Sequence, residues 1–391
     1  MQNFFSLSPE SKQILDSVSS ILKKTFPIPE RFRNALPSNI AELSRLLTNK
    51  RADRSLSYLG RPNFLSAYMH YYFPWNLYRL CILLPSLQLN LKAGSIITDL
   101  GCGPLTFVSA LWIVRPDLRS VPLEFNCIDR AGPALEAGKN FFTALCASNE
   151  QTEIPSLNWK INIIKKDINI NKTEKRKNKA SLVCAVNLFN EIYENISHND
   201  TESLHNIAEK AANFMHNEAE KDAVILTVEP GVPQSGKFIS LLRDTFMELE
   251  RMPLAPCTHA QTCPFRQKRK EKQRWCHFAF EALDAPKDLV RLSKAAKLPK
   301  ERLVLSFLQT GAVTINVKIK QNNQNIQTRV ISDAFPLPGN KFGRYGCSSQ
   351  GLILLTSNKE QIEKIGSLSL VETFLNGQRD EKSGALIAEV I

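Results

Sequence analysis

The chain has 391 residues, and 50 Lys and Arg against 38 Asp and Glu give it a formal net charge of +12. This length suits one large domain or two ordinary ones, and 43% hydrophobic with 23% charged residues excludes a disordered or fibrous protein. The positive charge predicts an acidic partner, with RNA as the first candidate and an anionic membrane surface as the second. No apolar run reaches the roughly 18 residues that a membrane-spanning helix needs, so we expect no membrane insertion.

The first residues predict neither a secretory signal nor an Arg-rich transit peptide. They lack a basic segment followed by an apolar core, and Glu10 and Asp16 come early. We therefore expect a cytoplasmic protein, in which the nine cysteines stay reduced. Their odd number also argues against a full set of disulfides, so burial or metal ligation has to explain them.

Residues 1–92 are predicted to form an N-terminal helical region. SKQILDSVSSILKKTF and NIAELSRLLTNK place apolar residues at three- and four-residue spacing, as amphipathic helices do. We interpret the aromatic-rich stretch from about residue 58 as a helical layer that packs on the segments after residue 92. A base-stacking platform is the less favoured alternative.

From residue 93 the pattern changes to short apolar runs that alternate with helical segments. Seven runs are typical of buried strands: SIITDL, LEFNCID, INIIKKDI, SLVCAVNL, AVILTVEP, RLVLSFLQ and GLILLTS. The alternation predicts a doubly wound, mainly parallel α/β sheet of seven strands. We place its core in residues 93–250 and 301–358, with a Cys-rich insertion at 251–300 and a C-terminal tail of little pattern at 359–391.

The first predicted strand leads into a glycine-rich turn, IITDLGCGPLTF, that opens a helix. Such a turn lets backbone amides approach a ligand, and amides at a helix N-terminus favour negative groups. Asp99, Gly101 and Gly103 resemble motif I of class I S-adenosylmethionine-dependent methyltransferases more than the dinucleotide fingerprint. The common motif has a third glycine where this chain has Leu105, and we expect that bulk to crowd the methionine end of the cofactor.

Three further candidate cofactor residues follow the second, third and fourth strands. Asp129 is placed to accept hydrogen bonds from both ribose hydroxyls. Asp167 is either an adenine contact or a solvated loop acid, and Asn187 opens the segment NLFNEIY, where a substrate would lie. No base-methylation motif stands in that segment, and Cys184 lies inside an apolar strand, so no catalytic residue is assigned.

Four cysteines stand apart from the strand and helix patterns, three clustered and one remote: Cys257, Cys263, Cys276 and Cys347. Zinc fingers usually pair ligands two to four residues apart, so the gap between Cys257 and Cys263 is unusual for zinc. Four thiolates on irregular spacing suit an iron–sulfur cluster at least as well, and zinc remains the alternative. His259 and His277 are alternative ligands.

The segments PCTHAQTCPF, WCHF and GRYGCSSQG, combined with DLGCGP and LTVEPG, resemble one family. It is that of the methyltransferase-like small ribosomal subunit proteins, known mainly as mitochondrial ribosome assembly factors with bacterial relatives. The resemblance runs from about residue 58 to the last predicted strand. The chain departs from it after WCHF, where relatives continue with a Ser-rich, Arg-containing sequence and this chain has AFEALDAP.

This resemblance implies a class I methyltransferase fold whose inserted cysteines hold a [4Fe–4S] cluster. The matching positions are Cys257, Cys263, Cys276 and Cys347. It also implies binding to small-subunit ribosomal RNA during assembly, with methyl transfer itself left open. Without an evident transit peptide, a bacterial member is the expected source.

Two basic runs stand out, RQKRKEKQR at 266–274 and KTEKRKNK at 172–179. We interpret the second as a solvated loop. The first lies between two proposed ligands, so a cluster would fix its ends and reduce the entropy cost of binding RNA phosphates. Neutralising its basic residues is therefore predicted to weaken RNA binding and flatten its salt dependence; they are Arg266, Lys268, Arg269 and Lys270.

Three functions stay open from the sequence. The first is an S-adenosylmethionine-binding protein that binds small-subunit ribosomal RNA or a pre-ribosomal particle, acts in assembly and methylates that RNA. The second is a non-catalytic iron–sulfur, RNA-binding assembly factor that keeps the cofactor pocket as structure. The least favoured is a small-molecule methyltransferase with structural zinc. The methylated position and the oligomeric state are not predicted.

Overall fold

The computed structural model describes residues 7–48, 58–149, 158–172, 178–197, 199–266, 275–312 and 325–390. Five helices precede the first strand, α1 to α5, at Pro9–Thr25, Glu30–Arg33, Leu36–Thr48, Pro62–Ala67 and Phe73–Leu83. Short 3-10 turns lie at Tyr58–Gly60 and Leu84–Ser86, and a π-helical turn at Tyr68–Tyr72 joins α4 to α5. No helix of the described residues is long and apolar enough to cross a membrane.

Helix α1 shows how the N-terminal layer attaches to the rest of the chain. The Ser8 side chain accepts a hydrogen bond from the Ser11 backbone amide at 3.1 Å, and Pro9 occupies the first helical position. The apolar residues at three- and four-residue spacing are buried in the main core: Ile14, Leu15, Val18, Ile21 and Leu22. The amphipathic pattern therefore places one face of α1 on the core.

The central sheet begins with five parallel strands. Strands β1 to β5 are Ser95–Leu100, Leu123–Asp129, Trp159–Lys165, Ala180–Val186 and Ala219–Pro230. Helices α6 to α10 are Thr106–Val114, Gly132–Asn149, Phe189–Ile192, Thr201–Glu218 and Pro233–Glu248, and a 3-10 turn lies at Pro116–Leu118. The strand order is β3-β2-β1-β4-β5, so the order reverses between β1 and β4. Ligands of such sheets bind at the carboxyl ends of the strands where the order reverses.

The far edge of this sheet is antiparallel. Strand β8, Arg302–Ala312, runs antiparallel to β5, and its two halves pair with different partners. Its N-terminal half pairs with β7, Phe278–Glu281, and its C-terminal half with β6, Arg251–Ala255. Helix α11, Lys287–Ala295, connects β7 to β8. The path β3-β2-β1-β4-β5-β8-β6 is that of a class I methyltransferase-like sheet, so the predicted doubly wound α/β fold is confirmed.

The last predicted strand lies outside this sheet. GLILLTS is β12, Gly351–Ser357, in a second sheet of six strands. Its other elements are β9 to β11 at Asn325–Val330, Phe335–Leu337 and Lys341–Ser348, α12 at Lys359–Glu363, and β13 and β14 at Leu370–Arg379 and Leu386–Val390. Residues 359–390, for which the sequence suggested little pattern, thus contain one helix and two strands.

Five strands of the second sheet close into a barrel, which we call the C-terminal barrel (325–390). Strand β9 pairs with both β13 and β11, which closes the order β9-β11-β12-β14-β13. Strands β12 and β14 are parallel, and α12 lies between the third and fourth barrel strands. This order is that of the oligonucleotide/oligosaccharide-binding fold, whose second and third strands usually form the binding face.

In this protein that face is covered by the central core. On β12, Ile353 and Leu355 fill the barrel interior, whereas Leu352 and Leu354 belong to the main core cluster. Cys347 of β11 packs against the same main core. The barrel therefore uses the face of β11 and β12 to dock on the central sheet, with Cys347 at the junction.

Candidate functional site

A cleft of about 760 Å³ opens at the carboxyl ends of β1 to β4. Its volume lies within the range of about 300–1,000 Å³ that is typical of small-ligand sites. Five of the six residues predicted from sequence to bind a cofactor line it: Gly101, Gly103, Asp129, Asp167 and Asn187. The sixth, Asp99, lines an adjoining cavity of about 20 Å³, which also touches Gly101, Gly103 and Asn187. The 3-10 turn Tyr58–Gly60 and Tyr68 contribute the N-terminal wall of the cleft.

The glycine loop after β1 has the backbone that only small residues adopt easily. Gly101 and Gly103 have φ values of +66° and +51°. A Cβ atom on Gly101 would lie 2.8 Å from the Leu188 side chain, so the loop is packed against the segment after β4. On the other side, a Cβ atom on Gly138 of α7 would lie 2.3 Å from the Pro104 backbone. The loop is therefore held closely between two elements.

Asp129 links this loop to the end of β2. One carboxylate oxygen accepts a hydrogen bond from the Gly103 amide at 2.9 Å, and the other accepts from the Ala131 amide at 2.8 Å. Each carboxylate oxygen keeps a second lone pair, so ligand hydroxyls can still be bound. The carboxylate is thus fixed in position at the floor of the cleft.

Asp99 and Asn187 present two unsatisfied acceptors to the small cavity. Asp99 is 1% exposed, and Cys184 donates a hydrogen bond to its Oδ1 at 3.4 Å. Within the described residues, neither Asp99 Oδ2 nor Asn187 Oδ1 has a hydrogen-bond partner, although both atoms are buried. Burial, assisted by the charge of Asp129, raises the pKa of Asp99 to about 7. A cavity of this size holds one water-sized group, and its two acceptors favour a cation such as an ammonium group.

The expected obstruction by Leu105 is wrong. Leu105 has φ +56° and ψ +40°, the left-handed conformation that a glycine at this position would adopt readily. Its side chain is fully buried in the main core and lines neither the cleft nor the small cavity. Because the left-handed backbone directs the side chain into the core, the cofactor cleft stays open.

Glu229, at the end of β5, organises the NLFNEIY segment and was not recognised from sequence as a site residue. Its fully buried carboxylate accepts hydrogen bonds from the Phe189 and Asn190 amides at 2.9 and 3.0 Å. Burial raises the pKa of Glu229 to about 8, against the opposing effect of these hydrogen bonds. Glu229 therefore fixes the turn that carries Asn187. The only sequence signal was an acid that ends an apolar strand, in LTVEPG.

Charged side chains cross the mouth of the cleft. Arg130 lies 3.3 Å from Glu191 and 3.9 Å from Asp167, and the Tyr58 hydroxyl donates to Glu191 at 3.3 Å. The Asp167 side chain is 75% exposed. Both interpretations of Asp167, adenine contact and solvated acid, therefore stay open.

The four cysteines singled out from sequence converge at the junction between sheet and barrel. Cys257 follows β6, Cys276 precedes β7, and Cys347 comes from β11 of the barrel. Burial raises the pKa of Cys276, and its proximity to Cys257, Cys263 and Cys347 raises it further. However, no group of three or more His, Cys, Asp or Glu side chains within the described ranges is arranged to hold a metal ion. The thiols thus lie near one another without a formed ligand geometry.

Two arginines lie beside these thiols. Arg243 is 2% exposed and donates to the His259 and Gln261 carbonyl oxygens at 2.9 and 2.7 Å. Burial favours its neutral form, but Cys257 and neighbouring thiols outweigh this and leave the pKa of Arg243 above its usual value. Arg329 donates to the Pro256 carbonyl oxygen at 2.9 Å, and burial lowers its pKa to about 10 against the opposing effect of the thiols. Guanidinium groups in this position favour thiolates over thiols.

The two candidate histidine ligands differ in position. His259 Nε2 lies 3.4 Å from Cys347 Sγ, and burial lowers the pKa of His259 to about 4, so the ring is neutral. His277 instead stacks on Trp275 at 4.8 Å and contacts the Trp275 carbonyl oxygen through Nδ1. Of the two, His259 is the one beside the thiols.

None of the nine cysteines forms a disulfide, and the five outside the cluster are buried: Cys81, Cys102, Cys127, Cys146 and Cys184. Arg266 pairs with Asp244 at 3.2 Å. The rest of that run, 267–274 with Lys268, Arg269 and Lys270, and residues 173–177 of the other run lie outside the described residues.

Residues 107–335 match the family model described as mitochondrial small ribosomal subunit Rsm22, which covers more than half of the chain. A solved structure of a proposed class I S-adenosylmethionine-dependent methyltransferase from Listeria monocytogenes is 10% identical, over 79% of this chain and 88% of that chain, with TM-score 0.31. A methyltransferase from Geobacter sulfurreducens in complex with S-adenosyl-L-homocysteine is 10% identical over 61% and 91%, also with TM-score 0.31. These likenesses are weak, so the fold assignment depends on the strand order. No curated protein matches the sequence.

Proposed function

Since the chain belongs to the mitochondrial small ribosomal subunit Rsm22 family, we propose that it binds S-adenosylmethionine and small-subunit ribosomal RNA and acts in assembly of that subunit. One observation carries the cofactor part of this proposal. It is the pair of buried acceptors, Asp99 Oδ2 and Asn187 Oδ1, in a small cavity beside a glycine loop. A buried carboxylate oxygen without a partner is costly unless a cation completes the site.

The residues of the cleft fit the parts of this cofactor. Asp99 and Asn187 would bind its ammonium group, and Asp129 its ribose hydroxyls. In the glycine loop, Gly103 leaves open space beside the backbone, and Asp167 is the candidate contact of the adenine. When bound, the cofactor supplies a methyl group on a sulfonium centre; the residues named here bind and orient it.

Isothermal titration calorimetry with S-adenosylmethionine tests the cofactor site. We expect saturable binding by the wild type and a large loss of affinity for Asp129→Ala and Asp99→Ala. Asp117→Ala is the matched control, because Asp117 is an exposed acid that pairs with Arg115 away from the cleft. No heat of binding at any accessible concentration would contradict the proposal.

We also propose that Cys257, Cys263, Cys276 and Cys347 hold a [4Fe–4S] cluster, with zinc as the alternative. The convergence of four thiols and the two arginines beside them support an anionic, thiolate-bound group. Bound there, a cluster would supply a covalent link between the central sheet and the C-terminal barrel. Anaerobically purified protein should contain iron and acid-labile sulfide in equal amounts. A colourless, zinc-loaded protein would falsify the cluster assignment.

RNA binding is supported by the family and by the chain's net charge of +12. Whether methyl transfer accompanies it is a separate question, and a non-catalytic assembly factor is the second candidate. The observation in its favour is that Glu229, a buried acid near the substrate segment, is engaged by two backbone amides rather than directed into the cleft. Ribosomal RNA methylation, measured by mass spectrometry in cells that carry only the Asp129→Ala form, distinguishes the two. Loss of one modification supports catalysis; normal assembly with unchanged modification supports the second candidate.

A cytoplasmic location stays part of the proposal. Nine cysteines without a disulfide are typical of a reducing compartment such as the cytoplasm, whereas the family description names mitochondria. Cell fractionation with an antibody to the protein decides between the two compartments.

A further inference from the structure

Two cationic side chains outside the cofactor site belong to packed segments: Arg79 is on α5, and Lys300, just before β8, lies over the ring of Trp75 on the same helix. Burial lowers the pKa of Arg79 to about 10, and burial together with Arg79 lowers that of Lys300 to about 8. Within the described residues, no carboxylate contributes to either shift. Two partly buried like charges repel one another and have lost much of their hydration, so an anion between them would be strongly favoured.

An aromatic frame holds this pair in place. Lys300 Nζ lies 5.7 Å from the ring centroids of both Tyr71 and Trp75. The Tyr71 hydroxyl donates to the Leu298 carbonyl oxygen at 3.1 Å, and Trp75 Nε1 donates to the Ser293 hydroxyl at 3.0 Å. Arg79 follows Trp75 by one helical turn and so lies on the same helix face. The cations are therefore positioned by packed side chains rather than by a flexible surface.

The pair borders the cleft through Tyr68. The Tyr71 ring beside Lys300 belongs to the same π-helical turn, Tyr68–Tyr72, as Tyr68, and Tyr68 lines the cleft. Within the described part of the chain, the buried Nε of Arg79 has no hydrogen-bond partner. Lys300 leads into β8, which pairs with β5 beyond β4 and so lies away from the side of the sheet that carries Asp129. The pair therefore lies next to the N-terminal wall of the cleft, toward the β5 and β8 side of the sheet.

We propose that Arg79 and Lys300 form a phosphate subsite for the RNA substrate, on the side of the cleft opposite Asp129. This inference rests on the proposed function, because it gives the RNA a fixed position relative to the cofactor cleft. A guanidinium group binds phosphate oxygens through two parallel hydrogen bonds, and an ammonium group adds a point charge. Such a contact positions the RNA backbone without reading its sequence. The same oxyanion chemistry is offered by free phosphate and by the cofactor carboxylate, and the test separates these sources.

The experiment measures binding of a fluorescent single-stranded RNA oligonucleotide by anisotropy across a salt series. Arg79→Met and Lys300→Met keep the apolar stem and remove the charge. Each should weaken binding several-fold at any RNA sequence and lower the slope of log affinity against log salt by about 0.7. Lys297→Met is the matched control, since Lys297 is an exposed lysine of the same segment, and it should leave both quantities unchanged.

Further measurements assign the anion. Calorimetry with S-adenosylmethionine should give the same affinity for the wild type and both variants; a loss confined to this ligand would assign the pair to the cofactor carboxylate and overturn the subsite. Inorganic phosphate could instead raise the melting temperature of the wild type but not of the variants. If the variants also bind RNA as tightly as the wild type, the pair is a site for free phosphate and the RNA subsite is overturned. If Arg79→Met fails to fold, Lys300→Met alone decides.

The failures of the two proposals are distinguishable. If the wild type binds RNA and both variants bind it with the same affinity and salt slope, the subsite is overturned and the proposed function stays intact. Wild-type protein that binds no RNA overturns both.

Discussion

Cofactor affinity should depend on pH through Asp99. This carboxyl group has a pKa of about 7 in the folded protein, because it is buried and its Oδ2 lacks a partner among the described residues. A group with that pKa is about a tenth ionised at pH 6 and about three quarters ionised at pH 7.5. If the cofactor's ammonium group binds only the ionised form, affinity should rise about eightfold over this interval, and binding should release about 0.9 proton at pH 6 but only about 0.25 proton at pH 7.5.

The assay is calorimetry with S-adenosylmethionine at pH 6.0, 6.5, 7.0 and 7.5, in two buffers of different ionisation enthalpy. The interval stays below the pKa of about 7.7–8.0 at which an α-amino group loses its proton. Asp99→Asn should bind more weakly and show no pH dependence in this range. Equal affinity of the wild type at all four pH values, with no proton released, would refute the assignment of Asp99 to the ammonium group.

Three further predictions concern stability and metal content. Gly138→Ala should lower the free energy of unfolding in urea by about 1–3 kcal/mol, because its Cβ would lie 2.3 Å from the Pro104 backbone. The control Ala144→Gly, on the same helix, should lower it by about 1 kcal/mol or less. Equal losses in the two variants would contradict the close packing of the glycine loop. Burial raises the pKa of Glu229 to about 8 in the folded protein, whereas the unfolded chain loses this proton at about pH 4.5. The stability of the folded protein should therefore fall as pH rises from about 4.5 to about 8. Glu229→Gln should flatten that decline in thermal melts, and an unchanged slope would exclude Glu229 as its source. Cys347→Ser should remove most of the bound iron and increase hydrogen exchange in β11 and β12. The control Cys146→Ser, which replaces a buried cysteine of α7, should retain the iron. Equal iron content in both variants would contradict ligation by Cys347.

The parts of the fold that the sequence predicted are those with a local signal. The first six apolar runs lie in the central sheet, because a strand covered on both faces carries apolar residues at most positions and is bounded by turn residues. The same local signal located the glycine loop and Asp129. Strand β6 was missed because RMPLA is short, carries Arg251 and is interrupted by Pro253.

The C-terminal barrel could not be predicted in this way. Only alternate residues of β13 face its interior, so LVETFLNGQR has few apolar residues, and closure depends on the pairing of β9 with both β11 and β13. GLILLTS is apolar on both faces because one face fills the barrel and the other docks on the central core. From sequence, that run is indistinguishable from a strand of a parallel sheet.

Within the site, the sequence missed features that depend on where a side chain points and on which distant segments pack together, rather than on residue type. Leu105 was expected in the cleft, but its left-handed backbone turns the side chain into the core. Arg79 and Lys300 are separated by 221 positions along the chain, and only packing of α5 against the segment before β8 brings them together. The four cysteines were recognised from their unusual context, whereas their position between sheet and barrel required the structure.

The proposed function requires that this protein contacts the RNA of the small ribosomal subunit in cells. Ultraviolet crosslinking in cells, with purification of the protein and sequencing of the attached RNA, tests it most directly. We expect crosslinks concentrated at a defined region of small-subunit ribosomal RNA, reduced for Lys300→Met and retained for Lys297→Met. Crosslinked RNA with no enrichment of small-subunit sequences over total cellular RNA would contradict it.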